Sequence, residues 1–366
     1  MLVLVCLDCE EKVRFNNFPM ISGRKLKVGI VGAGRISENH LKSILQYSDD
    51  LELTAVCEVN TRRLEDAILE YGVKGYTDLR EMLLVEQLDL VVLCTPSGLH
   101  SYQAIMAAEF GVHVVTEKPM ATLYSDGLQM VNACDRAGVR LFVVKQNRLN
   151  ATLQILKRAI KEKRFGAIKL VEINVFWSRP QEYYDQGEGW RGTWEFDGGA
   201  FMNQASHYAD LLEWLIGPVE RVQAMMSTTR DIEAEDTGVV NIKWRNGALG
   251  SMAVTMLTYP KNLEGSITVL GENGSAKVGG VAVNEISLWE FADKSAYDEE
   301  ILTSNYETTS VYGYGHAMYY KNIIDVMRGQ AKPITDGRDG LKSLEILTAI
   351  YASARDGKAV GLPLNL

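Results

Sequence analysis

Leu26-Lys27-Val28-Gly29-Ile30-Val31-Gly32-Ala33-Gly34-Arg35-Ile36-Ser37 decides the fold. A mostly apolar run passes directly into Gly-x-Gly. A helical pattern follows, with Ile36, His40, Leu41, Ile44 and Leu45 near the 3.6-residue period. Strand, tight turn and helix open a βαβ unit. Gly32 permits the turn, and Gly34 lets the backbone approach a pyrophosphate resting on the helix N-terminus. Arg35 and Ile36 complete the loop that a dinucleotide would touch. The third glycine of the usual fingerprint is absent, and Ser37 stands in its place.

Working outward, a second strand over 51–56 ends at Cys57-Glu58. A carboxylate there accepts hydrogen bonds from ribose hydroxyls and repels a 2′-phosphate, which favours NAD over NADP. The plainer alternative is a solvated loop acid. Strands at 88–94, 112–115 and 139–144 alternate with helices at 61–71, 78–84, 101–110 and 123–137. That rhythm predicts a parallel sheet with right-handed crossovers. After Lys145 the rhythm changes. A helix at 151–163 precedes strands at 168–177, 219–228, 237–244, 248–256, 265–270 and 276–278, with a long helix over 200–216. Arg245-Asn246-Gly247 and Glu272-Asn273-Gly274 are hairpin turns. Residues 293–312 read as a long loop, and helices at 318–328 and 340–355 close the chain.

The expected fold class is α/β. An N-terminal Rossmann dinucleotide-binding domain (25–145) is joined to a C-terminal α+β domain (146–366) with a mainly antiparallel open sheet, for substrate and oligomer contacts. Residues 1–24 read as an extension, or as an early start with Met20 as the later one.

Composition agrees with two domains. The chain has 366 residues, and a domain averages ~150. Lys and Arg number 38 against 47 Asp and Glu, a net charge of −9, which excludes nucleic acid as the main partner. No apolar run reaches the ~18 residues of a membrane span, so no membrane partner is expected. Cys6, Cys9, Cys57, Cys94 and Cys134 form no disulfide framework. Cys6-x2-Cys9 lacks a second pair, and no His/Cys/Asp cluster has metal spacing, so no metal is expected. Reduced thiols and no secretory pattern make the cytoplasm the expected location.

Cys94-Thr95-Pro96-Ser97-Gly98-Leu99-His100 and Thr116-Glu117-Lys118-Pro119-Met120 resemble the glucose–fructose oxidoreductase / inositol dehydrogenase / rhizopine catabolism family. The resemblance covers 25–366. Further segments resemble one branch of that family. They are Phe142 to Arg148, Phe176 to Tyr184, Trp190 to Trp194, Asp197 to His207 and Thr309 to Gly313. That branch oxidises the sugar C3 hydroxyl of UDP-N-acetyl-2-amino-2-deoxyglucuronate with NAD, reoxidises NADH with 2-oxoglutarate, and serves surface polysaccharide synthesis. The resemblance also implies a homotetramer. The alternatives are an NAD-dependent dehydrogenase of a free sugar or inositol and, in another class, a non-catalytic NAD(H)-binding sensor.

Alcohol oxidation needs a base for the hydroxyl proton and a group that steadies the oxyanion. Lys118, at the carboxyl edge of the sheet, suits the second task, and the resemblance places it in the active site. His207 is the expected general base. Asn203 at i−4 and Asp210 at i+3 would share its helix face. The family commonly has aspartate where Asn203 stands, so Asn203 and Gln204 are expected to bind substrate, while Asp210 either orients His207 or is structural. Arg179 and Arg191, among aromatics including Tyr183, are the candidates for gripping carboxylate or diphosphate. An aromatic-rich dimer surface is the other reading; Tyr312 and Tyr314 are weaker candidates. Thr95, Pro96, His100, Glu117 and Gln146 are expected beside the cofactor, with a structural cap as the alternative for His100. His40, His113 and His316 read as structural.

Overall fold

The computed structural model describes residues 18, 20–186, 188–308 and 315–365. Cys6, Cys9, Tyr312 and Tyr314 lie outside them. The first sheet contains β1 (Leu26–Val31), β2 (Leu51–Cys57), β3 (Lys74–Tyr76), β4 (Leu90–Leu93), β5 (His113–Thr116) and β6 (Leu141–Val143). They lie in the order β3-β2-β1-β4-β5-β6, all parallel. β4 and β5 are buried throughout, as strands covered on both faces must be. The order reverses between β1 and β4, where a ligand crevice opens at the strands' carboxyl ends. Gly32 has φ +92°, and a Cβ there would meet the Cys94 backbone at 2.9 Å. Only glycine fits that turn.

The second sheet is mixed. β7 (Ile168–Phe176), β8 (Val219–Ser227), β9 (Thr237–Trp244), β10 (Leu249–Thr255), β11 (Glu264–Gly271), β12 (Gly274–Gly279), β13 (Glu285–Phe291) and β14 (Val360–Gly361) follow in chain order. They lie in the order β13-β12-β11-β7-β10-β9-β8-β14. All neighbours are antiparallel except β7 and β10. The sequence pattern did not reveal β13. A register shift between Lys277 and Val278 interrupts its pairing with β12, so its apolar residues do not keep a two-residue period.

Three expectations need correction. No helix runs over 200–216. Residues 200–205 form turns, an α-helix spans Ser206–Leu211, and Leu212–Ile216 is π-helical. Glu235 holds the turns out of helical register, taking the Ala200 N–H on its carbonyl and the Phe201 N–H on its carboxylate, both at 2.8 Å. The stretch after 293 is also more ordered than its composition suggests. Ser295 and Asp298 cap a 3-10 turn over Ala296–Glu300, and buried Arg164 pairs with Asp298 at 2.6 Å.

The third concerns the closing helices. They start earlier than expected, α1 being named here for Ser37–Gln46 at the phosphate loop and α2 and α3 for Gly315–Met327 and Gly337–Asp356. α2 packs on α1, and Tyr319 donates to the Val143 carbonyl at 2.8 Å. Tyr320 sits fully buried in a cluster with Val28 and Ile30. The end of the chain thus covers the first sheet as well as the second. No helix among the described residues is long and apolar enough to cross a membrane.

Candidate active site

The glycine loop joins β1 to α1. α1 has no side-chain cap at its start, and the Ser37 N–H donates to the Gly34 carbonyl at 3.1 Å. A Cβ at Gly34 would meet nothing within 4 Å. Arg35 is exposed and Ile36 half-buried beside it. Glu58 ends β2 and is buried. It accepts from Ala33 N at 2.7 Å and Asn60 N at 2.8 Å, which ties the strand end to the glycine loop. Arg63 reaches Glu58 at 3.5 Å and Glu188 at 3.2 Å. Two carboxylates therefore already engage the Arg63 guanidinium.

Across the crevice, Thr95 and Pro96 are half-buried in the loop after β4. Gly98 holds that loop to the second domain by donating to the Phe196 carbonyl at 3.0 Å. His100 lies beneath it. Its ring nitrogens face the Pro119 carbonyl at 3.0 Å and the Thr95 carbonyl at 2.9 Å, and burial pushes its pKa down. The geometry is that of a cap joining two loops.

Lys118 follows β5 and is half-buried. Its Nζ donates to the Asn203 carbonyl at 3.1 Å. Burial lowers its pKa, opposed by Glu117 and Asp197. The Glu117 side chain is itself buried, and it faces Lys118's own N–H and His40 rather than open space.

His207 sits on the helix after the 200–205 turns and is 5% exposed. Burial first, then the charges of Lys118 and Lys145, hold its pKa well below the usual imidazole range. The ring is therefore neutral at pH 7. Gln146 Nε2 lies 3.4 Å from His207 Nε2. His207 Nδ1 and Gln146 Oε1 are buried with no hydrogen-bond partner. Such orphaned atoms are costly unless a ligand meets them.

Asp210 does not orient His207. Both its oxygens accept from Arg148 at 2.7 Å, with Lys145 at 3.9 Å. Nor does Asn203 share a helix face with His207, since 203 precedes the helix. Asn203 instead donates its amide to Asp197. Asp197 is 2% exposed, and burial pushes it up to about 6, opposed by the Gly192 N–H, Asn203, Lys118 and Arg191. Sequence reasoning assigned Asp197 no role. Its only signal was its place beside Gly198-Gly199, and nothing in spacing ties it to Asn203. Gln204 is buried next to it.

Arg179 and Arg191 flank Tyr183. Their guanidinium carbons lie 5.4 and 4.4 Å from its ring centre. Arg179 donates to the Ser178 carbonyl and the Asn262 side chain, and Arg191 to the Tyr183 carbonyl. Among the described residues neither is in an ion pair, their bonds going to carbonyls and an amide, and Arg191 Nε is buried without a partner there. A cleft of about 420 Å³ opens beside Arg191, lined also by Tyr184, Thr193, Ile232 and Glu233. A larger cavity, about 550 Å³, lies between Val131 and Arg338, lined by none of these groups.

A Rossmann sheet with a glycine loop and a buried acid ending its second strand, together with a lysine and a neutral histidine, fits a nicotinamide-dependent oxidoreductase. Residues 26–145 match the NAD-binding Rossmann fold of an oxidoreductase family, and 157–362 match its C-terminal alpha/beta domain. The chain belongs to this GFO/IDH/MocA family.

It is similar to the WlbA dehydrogenase from Bordetella pertussis, solved in complex with NADH and UDP-GlcNAcA. Identity is 59%, TM-score 0.92, and coverage 94% of this chain and 100% of that one. WlbA from Chromobacterium violaceum, solved with the same ligands, is 60% identical with TM-score 0.91, covering 95% and 99%. The D-apiose dehydrogenase of Paraburkholderia graminis is 26% identical over 93% of this chain and 90% of its own length.

Proposed function

We propose that the protein oxidises the C3 hydroxyl of UDP-N-acetyl-2-amino-2-deoxy-D-glucuronate to the 3-keto sugar nucleotide. The observation that carries this reading is the pair of buried orphans, His207 Nδ1 and Gln146 Oε1, in one site with Lys118. Gly32, Gly34 and Glu58 would hold NAD, which when bound would supply the acceptor for the C3 hydride. His207, neutral in its buried site, takes the hydroxyl proton. The Lys118 ammonium steadies the alkoxide as it forms. Asn203 and Gln204 hydrogen-bond the sugar. Arg179 and Arg191, both close to the Tyr183 ring, grip the carboxylate and diphosphate. Thr95, Pro96 and Gln146 border the nicotinamide. The likeness to the two WlbA dehydrogenases supports the substrate, because it extends through the substrate domain.

Three finer readings go with this one. Reoxidation of NADH by 2-oxoglutarate, in the service of surface polysaccharide synthesis, rests on the family resemblance alone. A homotetramer rests on the same resemblance and on the open face of the second sheet, where Met225, Val239 and Leu249 are exposed. A cytoplasmic location fits the buried free thiols. The test incubates purified protein with the sugar nucleotide and NAD, with and without 2-oxoglutarate. Keto sugar in either arm supports the substrate, and its absence from both sinks it. Turnover on trace NAD only when 2-oxoglutarate is present supports recycling. Turnover limited by added NAD in both arms removes it. Light scattering at one subunit's mass removes the tetramer.

A further inference from the structure

Glu117 meets two histidines that lie far from it in sequence. Glu117 Oε1 is 3.0 Å from His40 Nε2, on α1, and 3.5 Å from His316 Nε2, on α2. His40 Nδ1 is 2.8 Å from the Tyr320 hydroxyl, also on α2. Glu117 Oε2 accepts from the Lys118 N–H at 3.0 Å. Exposure is 0% for His40, 4% for Glu117, 5% for His316 and 0% for Tyr320. The cluster therefore pins the lysine's own peptide to two helices.

One protonation pattern satisfies these contacts. Burial holds His40 neutral, against the pull of Glu117. Burial also opposes the charge of Glu117, but the bonds from His316 and His40 outweigh it and keep the carboxyl well below its usual range. A neutral His40 then donates from Nε2 to Glu117 and accepts at Nδ1 from Tyr320, whose hydroxyl stays protonated in its buried site. This leaves one buried negative charge directly behind Lys118.

We propose that Glu117, held by His40, Tyr320 and His316, is a positioning residue that fixes Lys118 and preserves its ammonium during turnover. The inference rests on the reading above that Lys118 steadies the alkoxide. The charged and titratable groups that act on Lys118 are Glu117, Asp197, Arg179, His207, Lys145 and His100. Only Glu117 and Asp197 are acids, and Glu117 adjoins the lysine in the chain. Removing its charge disfavours the ammonium, so Lys118 loses its proton at lower pH.

The test compares wild type with Glu117→Gln, His40→Ala, His40→Gln and Tyr320→Phe. The alkaline limb of the kcat profile should fall by about one pH unit in Glu117→Gln, the shift expected for loss of a neighbouring opposite charge. KM for NAD should stay within about threefold, since both carboxylate oxygens are already engaged by His40, His316 and the Lys118 N–H. His40→Ala should show a smaller shift in the same direction. His40→Gln, which replaces the Nε2 donor with an amide, should restore most of it. Tyr320→Phe should shift the limb least. Competitive acetylation of Lys118, read by mass spectrometry across pH, reports the same pKa change without any substrate. The proposal therefore stays testable if the sugar assignment fails, or if Glu117→Gln does not fold and the His40 pair must carry it. Superimposable Lys118 titrations in wild type and all folded variants would overturn it. So would loss of activity to a chelator with recovery on a divalent cation, which would assign the three side chains to a metal.

Discussion

The Lys118 wall and the Arg191 wall of the crevice are built on opposite plans. Around Lys118 the charged groups are buried and partnered: Glu117 with His40, and Asp210 with Arg148. Around Arg191 the guanidiniums keep company with carbonyls, one amide and aromatic rings, and form no ion pair among the described residues. A site that moves protons needs fixed geometry and set charge states. A site that must receive an anion needs cations not already neutralised. This is how a chain of net charge −9 accommodates an anionic ligand.

Each side of this contrast can be broken. His207→Asn removes the proposed base and should cost about 10²–10⁴ in kcat. Stopped-flow hydride transfer measures it, and a loss under tenfold would take His207 out of that role. Lys118→Met should cost about 10²–10³ in kcat, with NADH binding by fluorescence unchanged. On the other wall, Arg191→Ala should act mainly on KM. Loss of a charge-assisted contact predicts a rise of about 10–100-fold, with kcat within a few-fold. A neutral-sugar analogue should be less affected by Arg179→Ala than the uronate, and equal losses would favour a structural role for that arginine.

Arg148→Ala probes stability rather than rate. It strands Asp210 without its main partner, at a cost of about 3–5 kcal/mol by chemical denaturation. The smallest effect concerns pH. Burial pushes Glu235 from 4.5 up to about 7. Its folded form thus favours the proton, a contribution fully present below pH 4.5 and lost as pH rises through about 7. Glu235→Gln should therefore raise Tm relative to wild type at pH 8, with the gap closing near pH 4.5.

The nucleotide half was legible because its signals are local. Gly32 and Gly34 follow a strand, Glu58 ends the next, and Lys118 ends another, so periodicity alone orders them along one sheet edge. The substrate half was legible mostly as strands. Asp210 looked like a partner for His207 because i+3 spacing puts two residues on one helix face. Arg148, 62 residues away, takes both its oxygens instead.

The sequence by itself determined the Rossmann half, the preference for NAD, and the residue types needed to oxidise an alcohol. Short-range periodicity and turn chemistry carry that information. Only the tertiary structure decided which partner each buried carboxylate takes. Asp197 went to Asn203, Asp210 to Arg148 and Glu117 to His40 and Lys118. Pairings of this kind join distant elements, and burial makes each one obligatory, because a charge shut away from water must find its partner wherever the fold brings one.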